Sequence, residues 1–123
     1  MTDSASRGYL DYLRDIITMM DKIESFTEGL DFDRFIQDDK TYMAVVRGIE
    51  VIGEAAKHVP GVVRKKYSNV PWKRMAGMRD KLIHAYFGTD ATIVWESATA
   101  LIPALKPQVM KVLEQEAQNE RSE

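Results

Sequence analysis

Helical spacing is clearest in residues 38–61, which read DDKTYMAVVRGIEVIGEAAKHVPG. The apolar residues recur at intervals of three or four, which places them on one face of an α-helix. They are Tyr42, Val45, Ile49, Ile52 and Ala56. Asp38 or Asp39 can cap the first turn, and Pro60 ends the pattern. The stretch therefore predicts one amphipathic helix with a buried stripe.

Two glycines, Gly48 and Gly53, lie inside this predicted helix. Each costs about 1 kcal/mol of helix stability relative to alanine. Such glycines are best tolerated where a second helix must come close, because the missing side chain leaves room for it. We therefore expect tight contacts between helices at both positions.

The sequence before residue 38 has the same spacing. A helix is predicted over about residues 6–27, ending at Gly29. Its apolar positions are Leu10, Leu13, Ile17, Met20 and Ile23. A short connection after Gly29 is expected to carry Phe32, Phe35 and Ile36 back onto the core.

The sequence after Pro60 predicts three more helices. A short basic turn at residues 63–67 precedes a third helix, which begins at Pro71, runs to about residue 87 and ends at Gly88. Thr89 or Asp90 can cap the fourth helix.

The last predicted helix starts or kinks at Pro103, and a polar tail from about Gln115 is expected to fray. The inward positions of the last two helices are Ile93, Val94, Trp95, Ala98, Leu101, Leu105, Val109, Val112 and Leu113. No stretch alternates with the period of two that a strand needs. The sequence therefore predicts one all-α domain over residues 1–123, an up-and-down bundle of four to five helices.

The amino-acid composition excludes several kinds of site and a membrane-spanning helix. The chain has 123 residues, 17 Lys and Arg, 19 Asp and Glu, and no cysteine. Disulfides, thiolate metal sites and a cysteine nucleophile are therefore excluded. The longest charge-free stretch of the apolar C-terminal part, residues 97–105, is far shorter than the about 20 residues of a spanning helix. The first residues lack the features of a signal peptide, so we expect a cytoplasmic protein without a membrane partner.

Residues 78–88, MRDKLIHAYFG, contain the strongest candidates for catalysis. Arg79 and Tyr86 are seven residues apart and share one helix face. Asp80 and His84 are four apart, close enough for the carboxylate to orient the imidazole and favour its protonated form. His84 lies about 140° around the helix from Arg79, so the helix end or a second copy of the chain must complete a site.

The charges are unevenly distributed. Residues 57–88 contain eight basic residues and one acidic residue, Asp80, a net charge of +7; the rest of the chain carries −9. Such a basic segment is the electrostatic footprint of a polyanion-binding protein, and RNA fits it. The candidate RNA-binding patch is Lys65, Lys66, Lys73, Arg74 and Lys81. Tyr67, Trp72 and Tyr86 can stack on bases, although a core position for Trp72 is an equal alternative.

Other polar residues have structural interpretations. Asp31, Asp33, Asp38 and Asp39 stand where turns and helix caps favour aspartate, and His58 stands at the end of a helix, where the dipole favours an imidazolium. The stripe Arg47, Glu50 and Glu54 is interpreted as a salt-bridged surface, with support of the catalytic site as the less favoured alternative. No metal and no cofactor are predicted.

Residues 79–88 resemble the Arg-x4-6-His motif of the HEPN ribonucleases, and the form Arg-x4-His-x-Tyr resembles HepT, the toxin of MntA–HepT toxin–antitoxin pairs. The similarity continues in residues 48–57, 70–72, 76–78 and 94–95 and covers about residues 8–114. It implies a metal-independent endoribonuclease of a type VII toxin–antitoxin system, acting as a homodimer in which two motifs meet across a cleft. It also implies an MntA-like nucleotidyltransferase antitoxin, which inactivates the toxin by transferring AMP to the motif tyrosine.

Transferred to this chain, the resemblance makes His84 the general acid and base and Arg79 the contact to the phosphate and the transition state. Asp80 stands at a position that is polar but variable in the family, so its orienting role comes from its spacing to His84; Tyr86 becomes both an RNA contact and the AMPylated residue. One alternative is a non-catalytic HEPN-like module that binds nucleotides, RNA or a protein partner. Another is that the motif forms only a dimer interface.

Overall fold

The computed structural model describes residues 8–85 and 91–122, without the side chains of Lys81, Ile83, His84 and Ala85. All of its regular elements are helical. They are α1 (Tyr9–Thr27), α2 (Phe32–Gln37), α3 (Asp39–Lys57), α4 (Gly61–Lys66), α5 (Trp72–Ala85), α6 (Ala91–Glu96) and α7 (Ile102–Arg121), with a π-helical turn (Ser97–Leu101) that joins α6 to α7. The predicted all-α class is therefore confirmed, as four long helices with three short ones between them.

The long helices pack in the order α7, α1, α3 and α5. Helix α3 lies centrally and contacts α1 on one side and α5 on the other, whereas α5 packs mainly on α3. The α3 stripe predicted from spacing is buried at Val45, Ile49, Ile52 and Ala56. None of the described helices combines the length and the hydrophobicity that a membrane-spanning segment requires.

Short-range hydrogen bonds and one left-handed glycine define the helix ends. Asp38 is the N-cap of α3: its carboxylate accepts the Thr41 backbone N–H at 3.1 Å and the Thr41 hydroxyl at 2.8 Å. These hydrogen bonds, from the hydroxyl first and then the N–H, hold the pKa of Asp38 below its ordinary value. Asp31 caps α2 by accepting the Arg34 backbone N–H at 2.9 Å. Gly29 follows α1 with a φ of +77°, a left-handed conformation that favours glycine.

The two glycines of α3 lie at helix contacts, as predicted. A Cβ added at Gly48 would lie 2.8 Å from Cδ1 of Ile23 on α1. A Cβ added at Gly53 would lie 3.2 Å from Cβ of Arg79 on α5. Each glycine therefore allows one neighbouring helix to approach α3 more closely than a side chain would permit.

Three sequence predictions are wrong in detail. The connection after Gly29 is the short helix α2, and Ile36 is 41% exposed instead of buried. The basic turn at 63–67 is largely the helix α4. The polar tail does not fray after Gln115, because α7 continues to Arg121 and buries Glu116.

The predicted end of the third helix lies partly outside the described residues. Helix α5 is described to Ala85, and the predicted stop at Gly88 and caps at Thr89 and Asp90 fall in the undescribed range.

Candidate active site

Helix α5 has one face in the core and the opposite face outward. Trp72, Met75, Met78 and Leu82 are buried. At 100° per residue, Lys73, Gly77, Asp80 and the helical position of His84 fall within about 60° of one another on the opposite side. Lys73 and Asp80 are exposed, and a Cβ added at Gly77 would meet no atom within 4 Å. The candidate orienting residue Asp80 and the position of His84 thus share the outward face of α5.

Arg79 lies on the flank of α5 that contacts α3. Its backbone is close to α3 because position 53 is glycine. Its guanidinium Nη1 donates to Oε2 of Glu54 at 3.4 Å, and the other carboxylate oxygen of Glu54 lies 3.7 Å from Nε2 of His58. The carboxylate of Glu54 therefore stands between the motif arginine and a second histidine.

This ion pair orients Arg79 more than it stabilises the fold. The side chains of Arg79 and Glu54 are 39% and 55% exposed. Exposed pairs of this kind contribute about 0–1 kcal/mol, because water screens them and both side chains lose rotamer freedom. The consequence of the pair is geometric: it draws the guanidinium toward α3.

A cavity of about 370 Å³ opens beside this pair, between α1, α3 and α5. The His58 ring stacks on Tyr12, with centroids 4.5 Å apart and an interplanar angle of 13°. Charged groups dominate the remaining wall, which includes Asp15, Arg47, Glu50, Glu54 and Arg79. The Arg79 side chain thus lies at the edge of a cavity lined by charged groups, where it remains partly exposed to solvent. Among the described residues, no three His, Asp or Glu side chains converge as metal ligands.

The predicted site residues are only partly described. Arg79 and Asp80 are placed, on different sides of α5. The backbone at His84 is helical, but the side chains of His84 and Lys81 lie outside the description, and Tyr86 lies outside the described residues altogether. The roles given to Arg79, His84, Asp80 and Tyr86 therefore stay predictions.

The predicted basic patch divides into separate groups. Lys65 and Lys73 line a cleft between α4 and the start of α5. Lys66 faces α7 instead, where its ammonium donates to Oε2 of Glu116 at 3.0 Å. Arg74 is exposed beside the cleft without lining it. The structure thus brings two members of the patch together and directs a third away.

The structure adds Glu54 and His58 to the surroundings of Arg79. Glu54 directly follows Gly53, where a close helix contact was expected, and this adjacency was an available signal. His58 is one further turn along the same face of α3. The interpretation of Arg47, Glu50 and Glu54 as a salt-bridged surface agrees with the exposed ion pairs of Glu54, and all three residues also line the cavity beside Arg79, so support of the site stays a prediction.

The all-α bundle, with the Arg79-x4-His84 spacing on its outer helix α5, agrees with the architecture of a HEPN-like helical protein. The model of the family described as "Ribonuclease HepT-like" matches residues 16–112. The chain therefore belongs to the HepT-like ribonuclease family.

Curated relatives are similar in sequence to this chain over most of their length. "Probable ribonuclease HepT" of Thermococcus cleftensis is 44% identical over 106 residues, which cover 86% of this chain and 96% of the relative. "Putative RNase MJ0125" of Methanocaldococcus jannaschii is 47% identical over 102 residues, covering 83% and 88%. "Putative RNase TTE0752" of Caldanaerobacter subterraneus is 44% identical over 105 residues, covering 85% and 94%. No solved structure matches the chain.

Proposed function

We propose that this protein is a metal-independent endoribonuclease, the toxin of a toxin–antitoxin pair. The observation that carries the proposal is the spacing Arg79-x4-His84 on the single helix α5 of a chain in the HepT-like family. The proposal includes the cytoplasm as its location, where RNA is available. The positive charge of residues 57–88 supports an RNA substrate.

The chemistry needs a base, an acid and positive charge. A base removes the proton of a ribose 2′-OH, the 2′-oxygen attacks the adjacent phosphorus, and the P–O5′ bond breaks as an acid protonates the 5′-oxygen. The products are a 2′,3′-cyclic phosphate and a 5′-hydroxyl. His84 performs proton transfer, and Arg79 stabilises the charge of the pentavalent transition state. Glu54 positions Arg79 for this task, and Asp80 orients His84.

A homodimer supplies the second proton-transfer group. One imidazole cannot act as base and acid in the same step, whereas two copies of His84 across a cleft can. The outward face of α5 supports this arrangement, because it carries the position of His84 and leaves open space at Gly77. RNA then lies between the two outward faces.

An antitoxin of the nucleotidyltransferase class controls the enzyme in this proposal. Transfer of AMP from ATP to the Tyr86 hydroxyl, with release of pyrophosphate, attaches a phosphate and a nucleoside two residues from His84. The added negative charge repels the RNA backbone, and the nucleoside occupies its path.

The decisive experiment is cleavage of a mixed-sequence RNA by the purified protein in EDTA. We expect cleavage to continue in EDTA, with products ending in a 2′,3′-cyclic phosphate. The matched control is the same strand with 2′-deoxyribose throughout, which lacks the attacking hydroxyl and should remain intact. RNA binding without cleavage in any buffer would contradict the proposal and favour the non-catalytic module.

Alanine substitutions at the two glycines of α3 test whether the close helix contact at Gly53 positions Arg79. We expect Gly53→Ala to lower kcat about tenfold, because the new Cβ meets Arg79 and the carbonyl oxygens of Met75 and Ala76 at 3.2–3.3 Å and must displace α5. The unfolding free energy should fall by about 1 kcal/mol, since overpacking exceeds the gain in helix propensity.

Gly48→Ala is the matched control, because it overpacks the same helix against Ile23 of α1. We expect it to lower the unfolding free energy comparably while changing kcat less than about twofold. The measurements are denaturant unfolding and RNA cleavage at a temperature where all variants are folded. Equal loss of kcat in both variants would show that placement of Arg79 by Gly53 is irrelevant.

A further inference from the structure

A second basic site lies apart from the Arg79 cavity. Helix α4, the start of α5 and the turn between them border an open, shallow cleft of about 510 Å³. Arg64 and Lys65 of α4 and Lys73 of α5 line it, and its walls include no acidic residue. None of the three forms an ion pair with an acidic side chain in the described part of the chain. Three exposed cations therefore line one shallow surface, and none of them is paired with a described acidic side chain.

Lys66 provides the contrast within the same helix. It is paired with Glu116 and lies over the Tyr67 ring, 5.6 Å from the centroid. Its charge is thus largely offset on the α7 side of the molecule. Lys66 belongs to the patch predicted from the sequence and Arg64 does not, whereas in the structure Arg64 lines the cleft and Lys66 pairs with Glu116.

The aromatic residues near the cleft face inward. The Trp72 indole donates to the Tyr67 carbonyl oxygen at 3.1 Å, and Trp72 is buried. The Tyr67 hydroxyl donates to Glu116 at 2.7 Å. Trp72 contributes to the cleft wall but is only 6% exposed, and Tyr67 is partly buried, so neither ring presents an open face on which a base could stack.

Lys73 of the cleft and the His84 position of the catalytic motif lie along the same face of α5. Lys73 and His84 are eleven residues apart on α5, which puts them about 20° apart around the helix and about 16 Å apart along it. At about 3.4 Å per stacked nucleotide, this distance corresponds to about five nucleotides. One strand can therefore lie along the outward face of α5 and reach both positions.

We propose that the cleft formed by Arg64, Lys65 and Lys73 binds the phosphate backbone of the RNA substrate about five nucleotides from the scissile bond. This inference rests on the proposed function for the identity of the RNA as a substrate. The cleft supplies affinity that does not depend on sequence, and it requires strands long enough to span it.

Salt dependence of binding measures these contacts. The probe is a mixed-sequence 2′-O-methyl RNA 12-mer, which cannot undergo attack by its own 2′-oxygen. In a single-stranded complex each lost phosphate contact lowers the slope of log K against log salt by about 0.7. We expect the triple variant Arg64→Gln, Lys65→Gln, Lys73→Gln to lose about 2 from the slope. Between 50 and 200 mM salt, wild-type affinity should therefore fall about 20-fold more than that of the variant.

The matched control is the triple variant Arg14→Gln, Lys22→Gln, Lys111→Gln. It removes one arginine and two lysines from exposed positions away from the cleft and has the same net charge. We expect its slope to equal that of the wild type. Equal slopes for the two triple variants, or no measurable binding by the wild type, would overturn the inference.

Strand length gives an independent readout. With 2′-O-methyl RNAs of 3 to 12 nucleotides, wild-type affinity should rise steeply beyond about five nucleotides, and the cleft variant should lose this rise. A length dependence unchanged in the cleft variant would also overturn the inference.

Failure of the cleft and failure of the proposed function give different results. If the wild type cleaves RNA and both triple variants have equal slopes, the proposed RNA binding by the cleft is rejected and the ribonuclease function is retained. If the slope of the cleft variant is lower than that of the wild type but the wild type does not cleave natural RNA, RNA binding by the cleft is retained and the ribonuclease function is rejected.

Discussion

His84→Ala is expected to reduce RNA cleavage by at least about a thousandfold while leaving the helical fold intact. General acid–base catalysis contributes about 10²–10⁴-fold per group, and the proposed dimer loses both of its groups at once. Alanine is the best helix former, so the α5 backbone at this position should persist. The measurements are single-turnover cleavage and far-UV circular dichroism. Equal cleavage by the wild type and the variant would disprove the catalytic role.

Mixed dimers test whether the site is shared between two chains. If cleavage needs His84 from both protomers, a wild-type/His84→Ala heterodimer is inactive. Random assembly of equal amounts then leaves about a quarter of the activity, because only that fraction of dimers is wholly wild type. Activity proportional to the wild-type fraction would instead indicate a site complete within one chain.

Arg79→Lys separates charge from geometry at the same site. Lysine keeps the positive charge but loses the planar fork that binds two phosphate oxygens. We expect kcat to fall about 10²-fold for Arg79→Lys and further for Arg79→Ala, with a smaller change in KM. A loss of RNA affinity without a change in kcat would assign Arg79 to binding alone.

Glu116→Ala is expected to give the largest loss of stability, about 3 kcal/mol in the free energy of unfolding. The Glu116 side chain is only 8% exposed and accepts from the Tyr9 hydroxyl at 2.9 Å, the Tyr67 hydroxyl at 2.7 Å and the Lys66 ammonium at 3.0 Å. The substitution leaves these donors without their acceptor and opens a cavity. Melting temperature should fall by about 10 °C, given the entropy of unfolding of a domain this size.

Glu114→Ala is the matched control, since Glu114 is an exposed glutamate on the same helix. Its effect should stay within about 0.5 kcal/mol. Thermal and denaturant unfolding at neutral pH measure both variants. A Glu116→Ala protein as stable as Glu114→Ala would show that the buried cluster is energetically neutral.

The same cluster makes stability depend on pH. Burial raises the pKa of Glu116, but the hydrogen bonds from Tyr67, Lys66 and Tyr9 outweigh burial and leave this pKa below its ordinary value. The resulting stabilisation is complete above about pH 4.3 and is lost as the pH falls further. Glu116→Gln cannot titrate, so its stability should depend less on pH in this acid range.

At alkaline pH the dependence of folding stability on pH has the opposite sign. Burial first, and then the hydrogen bond to Glu116, raise the pKa of Tyr9 to about 12. Because the folded-state pKa lies above the unfolded value of about 10, this contribution is complete below about pH 10 and is lost as the pH rises toward 12. Tyr9→Phe should lose this alkaline dependence.

Local spacing was enough to predict the helical class and much of the core. The stripe of α3, the Asp38 cap and the close approaches at Gly48 and Gly53 all follow from residues near one another in sequence. A helix places every third or fourth residue on one face whatever surrounds it, and a cap needs only the next turn. The same local reasoning identified Arg79 and His84 as candidates on one helix.

The tertiary structure decided which charges are available. Glu116 continues the apolar stripe of α7 four residues after Val112, but its partners Tyr9 and Lys66 are 107 and 50 residues away. The pairing of Glu54 with Arg79 likewise joins α3 to α5 across 25 residues. Helical periodicity specifies a face but not the helix packed against it, so the sequence predicted a single basic patch, while packing separated Lys66 from the cleft of Arg64, Lys65 and Lys73.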